Sequence, residues 1–102
     1  MGYAKRTDGP HKAIVQALRK VGCQVFDCSR VGNGFPDLIV RAQCPWGLGP
    51  RVLLMEVKTA RGKLNAEQQA FLAQWPETIV VRSVSEALEA VGIRDRLVGH
   101  DG

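Results

Sequence analysis
The chain has no apolar run approaching the ~18–20 residues of a membrane helix, which excludes a helical membrane span from its reading. Behind the basic opening Met1-Gly2-Tyr3-Ala4-Lys5-Arg6 there is no apolar segment of the kind a secretory signal carries. A cytoplasmic location with no membrane partner is therefore expected. Cysteine is scarce: Cys23, Cys28 and Cys44 form no CxxC pair. An odd count without a signal points to reduced thiols acting as small hydrophobes, and it leaves a structural zinc site without ligands. Internal repeats and low-complexity linkers are also missing, and 102 residues suit one domain. No element recognisable as a base-reading motif is present.

A hydrophobic fraction of 45% is enough for one core, and a net charge of +4 gives a basic bias consistent with a polyanionic partner. Ile14, Val15, Leu18 and Val21 recur at helical spacing, which predicts a helix over residues 10–21, stopped by Gly22. Residues 24–28 alternate like a short strand. A Gly-rich loop from Ser29 to Phe35 leads to a second strand over residues 37–42. The turn Cys44-Pro45-Trp46-Gly47-Leu48-Gly49-Pro50 joins it as a hairpin to a third strand over residues 51–58. Thr59 to Lys63 is a basic loop. Asn65 is the N-cap of a second helix with Gln68 at N3, and Pro76 ends that helix. Phe71 and Trp75, four apart on it, are expected in the core. Residues 78–82 form a fourth strand, and Ser83 caps a last helix with Glu86 at N3. The fold class is α/β, a mixed four-stranded sheet flanked by helices in the order α-β-β-β-α-β-α. Residues 7–92 form its core and residues 93–102, including His100, a polar tail.

Chemistry concentrates at two places. Glu56 and Lys58 sit at i and i+2 near the end of the apolar run Val52-Leu53-Leu54-Met55-Glu56-Val57-Lys58, so they share one strand face, opposite Leu53, Met55 and Val57. Charged groups so placed are costly unless something uses them. A second carboxylate, Asp37, follows Pro36 at the head of the strand Leu38-Ile39-Val40. Two strand carboxylates and a lysine can hold a hard divalent cation and position a water beside it. The bland alternative is a solvated Glu–Lys pair with Asp37 as a turn residue.

Pro36-Asp37, the eighteen-residue gap and Glu56-Val57-Lys58 resemble the PD-(D/E)XK nucleases, which have a restriction-endonuclease-like core. The flanks are similar to the small stand-alone VRR-NUC nucleases of phages and prophages. These flanks are the approach Val31 to Asp37, the helix entry Lys63-Leu64-Asn65, and the segment Val81-Arg82-Ser83-Val84-Ser85-Glu86-Ala87-Leu88. The resemblance implies a DNA endonuclease in which Asp37, Glu56 and the Val57 carbonyl ligate Mg²⁺ or Mn²⁺. Lys58 would orient the attacking water and stabilise charge on the scissile phosphate. It implies a glutamine from the second helix at the site, Gln69 in the matching register, with Gln68 accounted for by its cap. The first helix often supplies an additional acid in such proteins; here the candidates are Asp8 and His11, with the alternative that Asp8 is an N-cap and His11 its N3 neighbour. Pro10 and His11 depart from the Asp-x-Asn-Gln opening of the small phage members, which leaves a second metal's ligand set open. A bacterial or phage-infected cell is the implied setting, and branched DNA such as a four-way junction the implied substrate.

Ser29, Arg30 and Asn33 before Asp37, and Arg61 and Lys63 after Lys58, are candidates for sequence-independent phosphate contact or ordinary solvated groups. Trp46 could stack on a base or pack on a partner subunit. So small a domain offers limited DNA-binding surface, so a homodimer is expected. The rival reading from another class is a non-catalytic nucleic-acid-binding module that retains the fold.

Overall fold
A computed structural model describes residues 9–43 and 49–93. It contains α1 (Gly9–Lys20), β1 (Gln24–Asp27), β2 (Leu38–Gln43), β3 (Pro50–Val57), α2 (Ala66–Gln74), β4 (Ile79–Val81) and α3 (Val84–Ala90), the element order read from the sequence. The strands lie in the order β1-β2-β3-β4. β1, β2 and β3 pair antiparallel, and β4 joins β3 in parallel after the α2 crossover, so the sheet is mixed. A parallel neighbour cannot be reached by a tight turn, which is why a helix intervenes only there.

Alternation assigns the faces. Val25, Val40 and Leu53 stand side by side in register, as do Leu38 and Met55, and all five are buried. Ile14 and Leu18 of α1, Ala87 of α3 and Val81 of β4 close the core on that side. Arg19 and Lys20 in the last turn of α1 favour the negative end of the helix dipole. Gly22 reverses the chain at φ +98°. Val21 leaves the expected apolar stripe: it is 43% exposed, because α1 ends at Lys20 and the backbone has already turned.

The second face of the sheet is thinly covered. α2 buries none of its residues, and the core expectation for Phe71 and Trp75 is not met. Phe71 stacks on Trp75 at 5.7 Å between ring centroids and meets Phe35 edge-on at 5.5 Å, while Trp75 stays 47% exposed. The helix has no buried stripe, and its N-terminal end is fixed by a cap. Asn65 Oδ1 accepts the Gln68 amide proton at 2.8 Å, and Gln68 Oε1 accepts that of Asn65 at 2.9 Å, a complete capping box. Ser83 caps α3 by accepting the Glu86 amide proton at 3.1 Å, while Glu86 Oε1 accepts from the Arg82 amide.

Candidate metal and catalytic site
Continuing the β2–β3 register by one step past Leu38↔Met55 brings Asp37 opposite Glu56. Both then project from the face away from the core. The loop that delivers Asp37 is curled by three successive left-handed residues, Gly32 (φ +77°), Asn33 (φ +58°) and Gly34 (φ +82°). It is tied back where the Cys28 amide donates to the Asp37 carbonyl at 2.6 Å. The Asp37 carboxylate crosses to β3, where its Oδ2 accepts the Val57 amide proton at 2.8 Å. Asp37 therefore sits against the residue next to Glu56.

Glu56 is only 4% exposed. Its Oε2 accepts from Gln68 Nε2 at 2.9 Å and lies 3.9 Å from Lys58 Nζ. Burial raises the proton affinity of Glu56, the negative charge of Asp37 raises it further, and Lys58 only partly offsets the two, so its pKa is pushed up to about 7. Burial also raises Asp37, against the opposing pull of the Val57 amide and of the charges of His11 and Lys58. Each carboxyl shifts the other, as expected of two acids brought within hydrogen-bonding reach.

That coupling has a testable sign. Glu56 binds its proton more tightly in the folded chain than in the unfolded one, so the folded state holds more protons from about pH 4.5 to about 7. Stability of the metal-free protein therefore falls as pH rises through that window. Glu56→Gln should flatten the decline and give a higher melting temperature than wild type at pH 8, read by calorimetry in EDTA.

The glutamine that reaches the site is Gln68. Gln69, preferred from the sequence, turns away and donates through Nε2 to the Leu64 carbonyl at 2.9 Å. The cap and the site contact do not compete, because one amide offers both an acceptor and a donor. Gln68 Oε1 serves Asn65 while its Nε2 serves Glu56. Gln68→Ala should lower stability by about 1 kcal/mol through the cap alone, whereas Gln69→Ala should leave the melting temperature nearly unchanged.

His11 is 5% exposed on the first turn of α1, and its Nε2 lies 3.1 Å from Asp27 Oδ2. Asp27, which the sequence reading passed over, accepts from both the amide (2.9 Å) and the hydroxyl (2.6 Å) of Ser29 through Oδ1. Burial opposes ionisation of Asp27, but these bonds and His11 bring its pKa down to about 2. A signal for this was present: Asp27 has the same strand parity as buried Val25. Ser29 thus faces Asp27, and its hydroxyl is committed there. Arg30, Asn33, Arg61 and Lys63 are exposed. Asp8, Trp46, Cys44 and His100 lie outside the described residues.

Among the described residues no His, Cys, Asp or Glu cluster of three or more suited to a metal ion is found. Two carboxylates, with water completing the shell, suit a cation that keeps much of its hydration, as Mg²⁺ does. Comparison with protein-family models, curated proteins and solved structures gave no match.

Proposed function
We propose that this chain is a divalent-metal-dependent DNA endonuclease with a restriction-endonuclease-like core. The observation that carries the reading is the pairing of Asp37 with the buried Glu56, with Lys58 beside them on the same face. Two adjacent carboxyls that resist ionisation are an unfavourable element of a stable fold. A bound cation relieves the repulsion and gives them a use. The sequence resemblance to PD-(D/E)XK nucleases supports the same assignment.

Asp37 and Glu56, with the Val57 carbonyl, would hold Mg²⁺ or Mn²⁺. Such a cation supplies an acidified water and polarises a phosphoryl oxygen. Lys58 Nζ lies 3.9 Å from Glu56 Oε2, and from there it would orient the water and face the charge that develops on the phosphate. Gln68 donates to Glu56 Oε2 and would hold that carboxylate in place beside the ion. Arg30, Arg61 and Lys63 supply sequence-independent phosphate contacts. A homodimer would present two such sites to one substrate, with branched DNA favoured, and light scattering of the purified chain tests that assembly.

The functional test is a cleavage panel of linear, nicked, flap and four-way DNA with Mg²⁺, Mn²⁺, Ca²⁺ or EDTA. The reading expects product with Mg²⁺ or Mn²⁺ and none with Ca²⁺ or EDTA. DNA binding without cleavage of any substrate would instead favour a non-catalytic binding module.

A further inference from the structure
Arg82 takes no part in the chemistry above, yet it links two distant segments. Its backbone amide donates to Glu86 Oε1 at 2.7 Å, so the capped start of α3 fixes its main chain. Its side chain reaches back across the crossover. Nη1 donates to the Thr59 carbonyl and to the Gly62 carbonyl, both at 2.7 Å. These two residues are the first and last of a turn closed by the Gly62 amide donating to the Thr59 carbonyl at 3.1 Å. The preceding residue is Lys58, whose own amide donates to the Val81 carbonyl at 3.0 Å. Val81 and Arg82 therefore hold the backbone of Lys58 and of the turn that follows it.

That turn carries Arg61, exposed at its third position, with exposed Lys63 just beyond. Among the described residues no carboxylate lies within ion-pair range of the Arg82 guanidinium. Its charge is directed at two main-chain carbonyls, a charge-assisted arrangement stronger than neutral turn hydrogen bonds. Such a bond pattern restricts the backbone that presents Arg61.

We propose that Arg82 is a positioning residue, which sets the Thr59–Gly62 turn so that Arg61 meets a DNA phosphate beside Asp37, Glu56 and Lys58. The ligand in this inference rests on the nuclease reading. Arg82 touches no phosphate itself and acts through the turn.

The test is a double-mutant cycle on binding of a fluorescent four-way DNA, with Ca²⁺ replacing Mg²⁺, across a salt series. Arg61→Ala is expected to weaken binding about 3- to 10-fold and to lower the slope of log K against log salt by roughly 1, as for loss of one phosphate contact. Arg82→Met is expected to produce the same loss and the same slope change. The double variant should bind no more weakly than either single one. Arg82→Lys, which keeps the charge and can donate to a carbonyl, should retain more affinity than Arg82→Met. Amide exchange should speed up at Gly62 in Arg82→Met while Val40 and Met55 stay protected.

Three results would overturn the proposal on its own: wild-type affinity in Arg82→Met, losses that multiply in the double variant, or protection lost throughout β2 and β3. The last would make Arg82 a general stabiliser. Failure of the nuclease reading looks different: wild type then cleaves no DNA with Mg²⁺ or Mn²⁺, and where it also binds none the proposal falls with it.

Discussion
Asp37→Asn should lower Mg²⁺-dependent DNA cleavage by at least ~10³-fold, the scale expected when a metal-held water and its charge stabilisation are both lost. The substitution is chosen because it preserves shape. An asparagine Oδ1 can still accept the Val57 amide proton that Asp37 Oδ2 accepts at 2.8 Å, so the β2–β3 junction stays tied. Only the negative charge goes. The metal-free variant should be at least as stable as wild type at pH 8, because one of two mutually repelling acids has been neutralised. Addition of Ca²⁺ or Mg²⁺ should raise the melting temperature of wild type and not of the variant. Lys58→Met separates the roles further. It should reduce cleavage by about 10²-fold or more, as for removal of a group facing transition-state charge, while the cation still raises the melting temperature. Matched losses of cleavage and of cation-linked stabilisation in Lys58→Met would reassign the lysine to the structure of the site.

Gly34→Ala should be among the most damaging single-methyl changes in the chain. Gly34 adopts φ +82°, and a Cβ built there collides with the backbone carbonyl of Glu67 in the first turn of α2. Neither partner is a side chain that can swing away. Left-handed strain and overpacking together should cost about 2–4 kcal/mol, a fall of roughly 10 °C or more in melting temperature for a domain of this size. The contact also sets the distance between the loop that delivers Asp37 and the helix that delivers Gln68. Cleavage measured well below the melting point should therefore fall as well. By contrast Gly32→Ala meets no atom within 4 Å and carries only the strain of φ +77°, so it should cost less. Equal melting temperatures for the two variants would show that the α2 contact is not tight.

Much of the arrangement was legible because strand alternation has a period of two. The apolar run that ends in Glu56-Val57-Lys58 places the acid and the amine on one face, and they lie 3.9 Å apart. The hairpin then needs only a turn between two apolar strands for Asp37 to come opposite Glu56. Helix starts at Asn65 and Ser83 could be read because capping is local chemistry. What escaped the sequence was of three kinds. Gln68 was assigned to its cap and Gln69 to the site, because one side chain serving both through opposite ends of its amide leaves no pattern distinct from a simple cap. Asp27 and Arg82 act across 16 and 20 to 23 residues, through contacts that only the folded chain brings together. Val21 had the right spacing but fell one residue past the end of α1, where periodicity no longer fixes direction.

The most direct measurement is anomalous diffraction from crystals soaked in Mn²⁺ at pH 8, where Glu56 can release its proton. A single strong peak within about 2.0–2.3 Å of one oxygen of Asp37 and one of Glu56 is the predicted result. At saturating Mn²⁺, no peak between those two carboxylates, or a peak bound only elsewhere on the chain, would contradict the account.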